Sequence, residues 1–294
     1  MNKRRVLPVL LILLILCGAA LAALDTVYRA GIDRIKQPLP ILMYHQIVAD
    51  GEETNSMIME VGRLRQDFQW LADNGYHPVL PSELLSEELP PKPVLITFDD
   101  GYRSSYELLY PLLQEFGFKA VVSIMVRMQD VGADEFLTWD MCREMEESGL
   151  VEIGSHAYRL HNLDGRGGLL TKDGVNGVQR DPTESDEAFE ARVLGDIQTS
   201  YDLIEVNLGH PPLFFAYPFG IREPDAEAFI DGLFPITVIT KPADTVFRTA
   251  DLANGLHNLP RFNITMTKSL QDQLAPPLVD RLKAGVKALL GRVS

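Results

Sequence analysis

The chain has 294 residues, 46% of them apolar and 23% charged, a balance that excludes a disordered, collagen-like or coiled-coil protein. Its 41 acidic against 27 basic side chains give a formal charge of −14, which excludes a nucleic-acid backbone as the natural partner. Two cysteines, Cys17 and Cys142, exclude a disulfide framework, and a chain this long buries enough surface that a metal would serve chemistry rather than folding.

Lys3, Arg4 and Arg5 precede an apolar run that ends at Leu24, so residues 1–24 read as a signal peptide or a membrane anchor. Ala20-Leu21-Ala22 has the small-x-small pattern of a cleavage site, yet the run is also long enough to span a bilayer, and both outcomes stay open. Either one places the chain outside the cytoplasm, secreted or held at the cell surface. Leu16, where a small residue is needed, argues against lipid attachment at Cys17. Residues 25–38 read as a polar linker.

Pro40 to Tyr44 then reads as a buried first strand. Val61, Leu64, Phe68 and Leu71 have helical spacing, stopped by Gly75. Strand and helix go on alternating: strands at 94–98, 120–125, 151–154, 213–217 and 236–240, helices at 106–116, 139–148 and 186–208. That alternation predicts an α/β domain with a parallel sheet, open or closed into a barrel, over residues 39–268. Residues 164–184, rich in Gly and charge, read as a surface insertion, and residues 269–294 as an amphipathic tail. Cys142 falls in a helix as a small buried residue, and His77 and His210 lie beside turns.

Asp99-Asp100-Gly101 follows directly on the apolar strand 94–98. Strand C-terminal ends are where α/β folds build sites, although an aspartate there also serves as a helix cap. Neighbouring side chains on an extended chain diverge, so one carboxylate can bind a metal while the other takes a proton. A second segment, Ser155 to His161, also follows a short apolar strand. A separation of five puts His156 and His161 about 140° apart on a helix, so they converge only if the chain turns. Two imidazoles and one carboxylate form the set that holds a catalytic divalent ion with positions left for water and substrate.

These motifs resemble the polysaccharide deacetylases of the NodB-homology type, carbohydrate esterase family 4. The likeness spans roughly residues 39–265 and includes Leu42-Met43-Tyr44-His45, Thr97 to Tyr102, Ser155-His156 with His161, and Phe215 to Gly220. The resemblance implies a distorted (β/α) barrel, Asp100, His156 and His161 as ligands of a divalent metal, Zn²⁺ first among them, and Asp99 as base. It implies a substrate with N-acetylglucosamine units, a cell-surface or extracellular polysaccharide of peptidoglycan or poly-N-acetylglucosamine type; the His-pair separation resembles the poly-β-1,6-N-acetylglucosamine branch. It also puts the backbone of Tyr217-Pro218 beside the ion as oxyanion donor and substrate wall, with His45 lining the pocket.

Two family features are missing. Where the family commonly has Leu-x-His, whose histidine is the general acid, this chain reads Leu259-Pro260-Arg261, with His257 nearby. Where many members place an arginine before the Tyr-Pro segment, it has Leu213-Phe214-Phe215. Arg261 is therefore expected to orient Asp99. An O-acetyl esterase acting on xylan-like chains would tolerate the missing acid, and a non-catalytic polysaccharide-binding protein is the alternative from another class. An uncleaved N-terminal segment would add the membrane as a partner.

Overall fold

The computed structural model describes residues 38–85, 89–161, 177–180, 183–240, 247–248 and 256–274, with Ala19 and Ala22. Residues Gln37–Leu270 form one compact unit, and Met1–Lys36 with Gln271–Ser294 form another. The N-terminal apolar run, the linker, most of the insertion and most of the tail lie outside the described residues. No helix among the described residues is long and apolar enough to cross a membrane.

Seven parallel strands close into a barrel. They are β1 (Ile41–Tyr44), β2 (Pro93–Phe98), β3 (Ala120–Ile124), β4 (Val151–Ser155), β5 (Phe214–Ala216), β6 (Ile236–Thr240) and β7 (Leu256–Asn263). Strands adjacent in sequence are adjacent in space, and β1 closes the ring by pairing with both β2 and β7. This is the distorted (β/α) barrel that the resemblance implies. The distortion lies at one seam, where β4 and β5 pair only through Ser155 and Phe215. There the backbones come so close that a Cβ on Gly154 would stand 2.9 Å from the Phe214 carbonyl oxygen.

Side chains alternate across each strand, and the alternation sorts the residues into two cores. Ile41, Leu95, Val121, Phe214, Ala216, Ile236, Val238 and Leu259 pack together inside the ring. The residues between them, Phe215, Tyr217 and Ile239, face outward against Phe189, Val193, Ile197, Ile230 and Phe234 of the helical layer. Helix α1 (Val61–Asp73) buries Leu64, Phe68 and Leu71, as their spacing predicts, with Asp67 buried beside them. The helices α2 (Tyr110–Phe116), α3 (Trp139–Glu147), α4 (Gly195–Leu208) and α5 (Pro224–Leu233) complete the layer.

Two predicted helices are not uniform. A π-helical turn at Ser105–Leu109 precedes α2, and another at Glu190–Leu194 precedes α4. Before α2 the reason is Pro111, which has no N–H to donate to the carbonyl one α-turn back. Helix α5 is absent from the sequence reading although Pro224, Ala226, Ile230 and Leu233 carry a start signal and helical spacing. Strand β7 escapes periodicity because it contains a bulge: Ile236 faces Leu256, but Val238 faces Leu259. The extra residue is absorbed where Asn258 takes a left-handed φ of 56°.

Gly101 ties the β2 exit to β3. Its φ is +76°, and a Cβ would lie 2.7 Å from Ile124 Cγ2 and 3.1 Å from its Cα. Gly101→Ala combines left-handed strain with a clash against a wall that cannot yield, which should cost about 2–4 kcal/mol. Urea denaturation of the variant measures the loss, and an unchanged midpoint would contradict this account of the turn.

Candidate active site

Asp99 extends the inward phase of β2, because its N–H still donates to the Tyr44 carbonyl at 3.0 Å. Asp100 breaks that phase with a φ of 75°, so the two carboxylates diverge at the barrel mouth. Ala157, after β4, and Phe219, after β5, are also left-handed, at 66° and 60°. Among the described residues, three of the five non-glycine residues with positive φ thus lie in the loops around one opening, where strain of this kind collects at functional sites.

The turn after β4 brings together the two histidines that sequence spacing alone would separate. Asp100 Oδ1 is 3.6 Å from His156 Nε2 and 3.5 Å from His161 Nε2. Ligands about 2.1 Å from a tetrahedral centre lie about 3.4 Å apart, so both distances suit ligands of one divalent ion, and all three atoms lie within 4.8 Å of one another. His156 Nδ1 lies 2.7 Å from the Ala216 carbonyl oxygen, which can only accept, so Nδ1 carries the proton and Nε2 turns its lone pair toward Asp100. The His161 ring stacks on Phe219 with centroids 4.6 Å apart.

The electrostatics of this trio also fit a cation. Asp100 Oδ1 is buried and has no hydrogen-bond partner. Burial pushes the Asp100 carboxyl up to about 6 and the His156 imidazole down to about 3, and lowers His161 in the same direction. Neutral imidazoles beside an uncompensated carboxylate are the donor set of a site such as Zn²⁺ would take, and these are the three residues that would hold it.

Asp99 stands in the opposite environment. Arg261 is completely enclosed, and its guanidinium grips the carboxylate with two bonds of 2.7 Å, Nη1 to Oδ1 and Nη2 to Oδ2. The same Nη1 donates at 3.1 Å to the Thr97 hydroxyl, which donates in turn to the Leu42 carbonyl at 2.8 Å. Burial pushes the Asp99 carboxyl up, but Arg261, helped by His156 and His45, outweighs it and holds Asp99 well below the usual carboxylate range. The bulge in β7 is what aims Arg261 inward.

His45 follows β1 in the inward phase of Ile41 and Met43 and is buried among the same groups. Burial lowers its pKa, against the pull of Asp100 and Asp99, and the charges of Arg261 and His161 face it as well. Of six histidines, three therefore share the mouth. The others lie elsewhere: His77 beside the Pro91 carbonyl, His210 beside Glu146, and His257 beside Asp231, at the opposite end of β7 from the mouth. His257 is thus excluded as the acid.

Tyr217 needs a correction. Its ring is fully buried on the outward side of β5, edge-on to Phe215, because Ala216 takes the inward position. Its N–H donates to the Val238 carbonyl at 3.1 Å, which removes it as an oxyanion donor. Pro218 is buried too, and what this segment presents to the mouth is Phe219, held left-handed against His161.

Removing the guanidinium should leave Asp99 buried and unpaired, at a cost of about 3–5 kcal/mol in Arg261→Met at neutral pH. The depressed Asp99 carboxyl contributes stability above its ordinary value of 3.8 and loses it as the pH falls through its lower folded value. In Arg261→Met, burial raises that carboxyl with only His156 and His45 left to oppose it, so the stability difference should be largest near neutrality and shrink as the pH falls through the variant's raised carboxyl value. Urea denaturation across that range tests this, and a pH-independent difference would refute the ion pair's part in it.

Residues 86–230 match the family model described as polysaccharide deacetylase. The poly-beta-1,6-N-acetyl-D-glucosamine N-deacetylase of Escherichia coli K12 is 28% identical over 213 residues, 63% of this chain. The chain spans about a third of that relative's length, the match covering 32% of it. A de-N-acetylase structure from Aggregatibacter actinomycetemcomitans superposes with a TM-score of 0.68 at 24% identity, covering 83% of this chain and 99% of the other. The BpsB deacetylase domain of Bordetella bronchiseptica gives 0.60 at 27% identity, over 76% of this chain and 95% of that domain. With its barrel, its Asp-Asp exit from β2 and its converging His pair in accord, residues 86–230 of the chain are of the polysaccharide deacetylase family.

Proposed function

We propose that this chain is a metal-dependent hydrolase that removes acetyl groups from N-acetylglucosamine units of an extracellular or cell-surface polysaccharide, its catalytic domain spanning residues 39–268. The observation that carries this reading is the contrast between two neighbouring carboxylates. Asp99 is held ionised by a protein cation, and Asp100 faces two imidazoles with no arginine or lysine ion pair among the described residues. One is equipped to take a proton and the other to hold a metal.

A divalent ion held by Asp100, His156 and His161 would supply an acidified water and a positive charge beside the acetyl carbonyl. Asp99 then receives the water's proton. Each of its oxygens accepts one N–H from Arg261 and keeps a second lone-pair direction for that proton. The fork fixes the carboxylate plane, so the base cannot rotate away from the mouth. His45 lines the same mouth, buried within the field of both aspartates. The poly-β-1,6-linked polymer is the preferred substrate in this reading, supported by the E. coli relative and by the His-pair separation of five.

Acetate release from β-1,6- and β-1,4-linked N-acetylglucosamine oligomers, by the chelated chain and after adding back Zn²⁺, tests the reading. Metal-restored release, faster on the β-1,6 oligomers, is the expected result. Asp99→Asn should lower kcat by on the order of 10²–10⁴-fold with metal still bound. Glycan binding without acetate release from either oligomer would overturn the hydrolase reading.

Asp100→Asn and His161→Ala should each abolish stoichiometric metal uptake, measured by elemental analysis after dialysis, while His257→Ala leaves it intact. Retained metal in Asp100→Asn would place the ion elsewhere.

A further inference from the structure

Two ligands five residues apart meet only if the chain between them folds back, and the contacts that hold this turn come largely from one helix. Asp196, in the first turn of α4, accepts two consecutive backbone N–H groups, Tyr158 N to Oδ1 at 2.9 Å and Arg159 N to Oδ2 at 2.8 Å. These two residues lie midway between His156 and His161. Ser200, one helical turn further on and therefore on the same face of α4, has its Oγ 2.8 Å from Ser155 Oγ. Ser155 Oγ accepts the Ala157 N–H at 3.1 Å, at the residue whose left-handed φ starts the turn. Asp196 and Ser200 thus hold the backbone on both sides of that left-handed residue.

Among the described residues, Leu160 packs in the outer core, and the other hydrogen bonds of this segment act at its start or at its edge. His156 N donates to the Ile124 carbonyl, and Val126 N to the Ala157 carbonyl, which anchors the first histidine to β3. The Tyr158 hydroxyl reaches Asp130 through an exposed side chain. Among the described residues, Asp196 alone fixes the backbone between the two ligands by both N–H groups at once, and a carboxylate is the one side chain of that size with two acceptor oxygens and no donor.

We propose that Asp196 is a positioning residue for the metal-ligand pair: with Ser200, it makes one face of α4 the template on which the His156–His161 turn is set. The inference rests on the metal reading above. Asp196 touches neither ligand ring, so its effect passes through the backbone. An asparagine keeps the size but presents an NH₂ group to one of the two N–H groups, which opens the turn and moves His161 relative to His156 and Asp100.

The test is Co²⁺ binding to the full chain, followed by the visible absorption of the bound ion and by competition with a chromophoric chelator. Outer residues that orient ligands typically change metal affinity on the order of 10–100-fold, and Asp196→Asn should weaken Co²⁺ binding by that much and alter the absorption bands. Ile204→Val, in the same helix and with no side-chain polar group to bond the turn, is the control for lost stability. It should leave both affinity and spectrum unchanged. Should Asp196→Asn fail to fold, Ser200→Ala removes the outer hold alone and is expected to weaken binding about tenfold. Wild-type affinity and spectrum in the aspartate and serine variants would overturn the proposal while the metal reading stands. Weakening that merely tracks thermal stability, matched by Ile204→Val, would overturn it equally. No Co²⁺ binding by the wild-type chain would instead remove the metal reading on which it rests.

Discussion

Two carboxylates leave the same strand side by side, and everything around the barrel mouth serves to keep their ionisation different. Buried together without help they would repel, and one would stay protonated. Arg261 resolves this on one side only, by committing its charge to Asp99 through a two-bond fork in a fully enclosed setting. Asp100 is left with neutral imidazoles and a carboxyl that burial has made reluctant to ionise. The barrel therefore carries one satisfied anion and one position that still calls for positive charge, within the width of a single dipeptide.

That asymmetry accounts for the strain at the rim. A regular exit from β2 would have left the Asp100 side chain on the outward face, against the helical layer. The left-handed step at Asp100 turns it back toward the mouth, and the left-handed Ala157 and Phe219 do the same for the loops that carry and cover the histidines. Each such residue costs on the order of 1–3 kcal/mol, a load that a closed barrel with two well-filled cores can sustain. The tight contacts at Gly101 and Gly154 show where the wall comes closest to these loops.

The alternation of elements, the carboxylate pair at a strand end and the turn needed between His156 and His161 were all legible from residue order, because each depends on local spacing. What escaped depends on phase. The Tyr217 N–H was read from its place in a motif as facing the ion, but strand alternation gives the inward position to Ala216 and the Val238 carbonyl takes that N–H. Strand β7 carries His257, Asn258 and Pro260, residues that argue against a strand, and it exists because a ring must close. Its bulge shifts the side-chain phase by one, so that Leu259 and Arg261 face inward together. No periodicity in the sequence announces that shift. His45 was legible as a residue at a strand end, whereas its company with both aspartates required the closed ring.

The ring also sets an order of assembly. Asp99 and Arg261 are separated by 162 positions, and between them in space stands β1, the first strand, which must pair with β2 on one side and β7 on the other. A chain emerging from its N-terminus thus delivers the carboxylate long before its counter-charge. Until β7 docks, Asp99 must remain hydrated or protonated, because a bare carboxylate cannot enter the barrel interior. The last strand to arrive brings both the final wall and the charge that makes Asp99 a base. Barrel closure and the burial of Asp99 in its ionised form are thereby a single event.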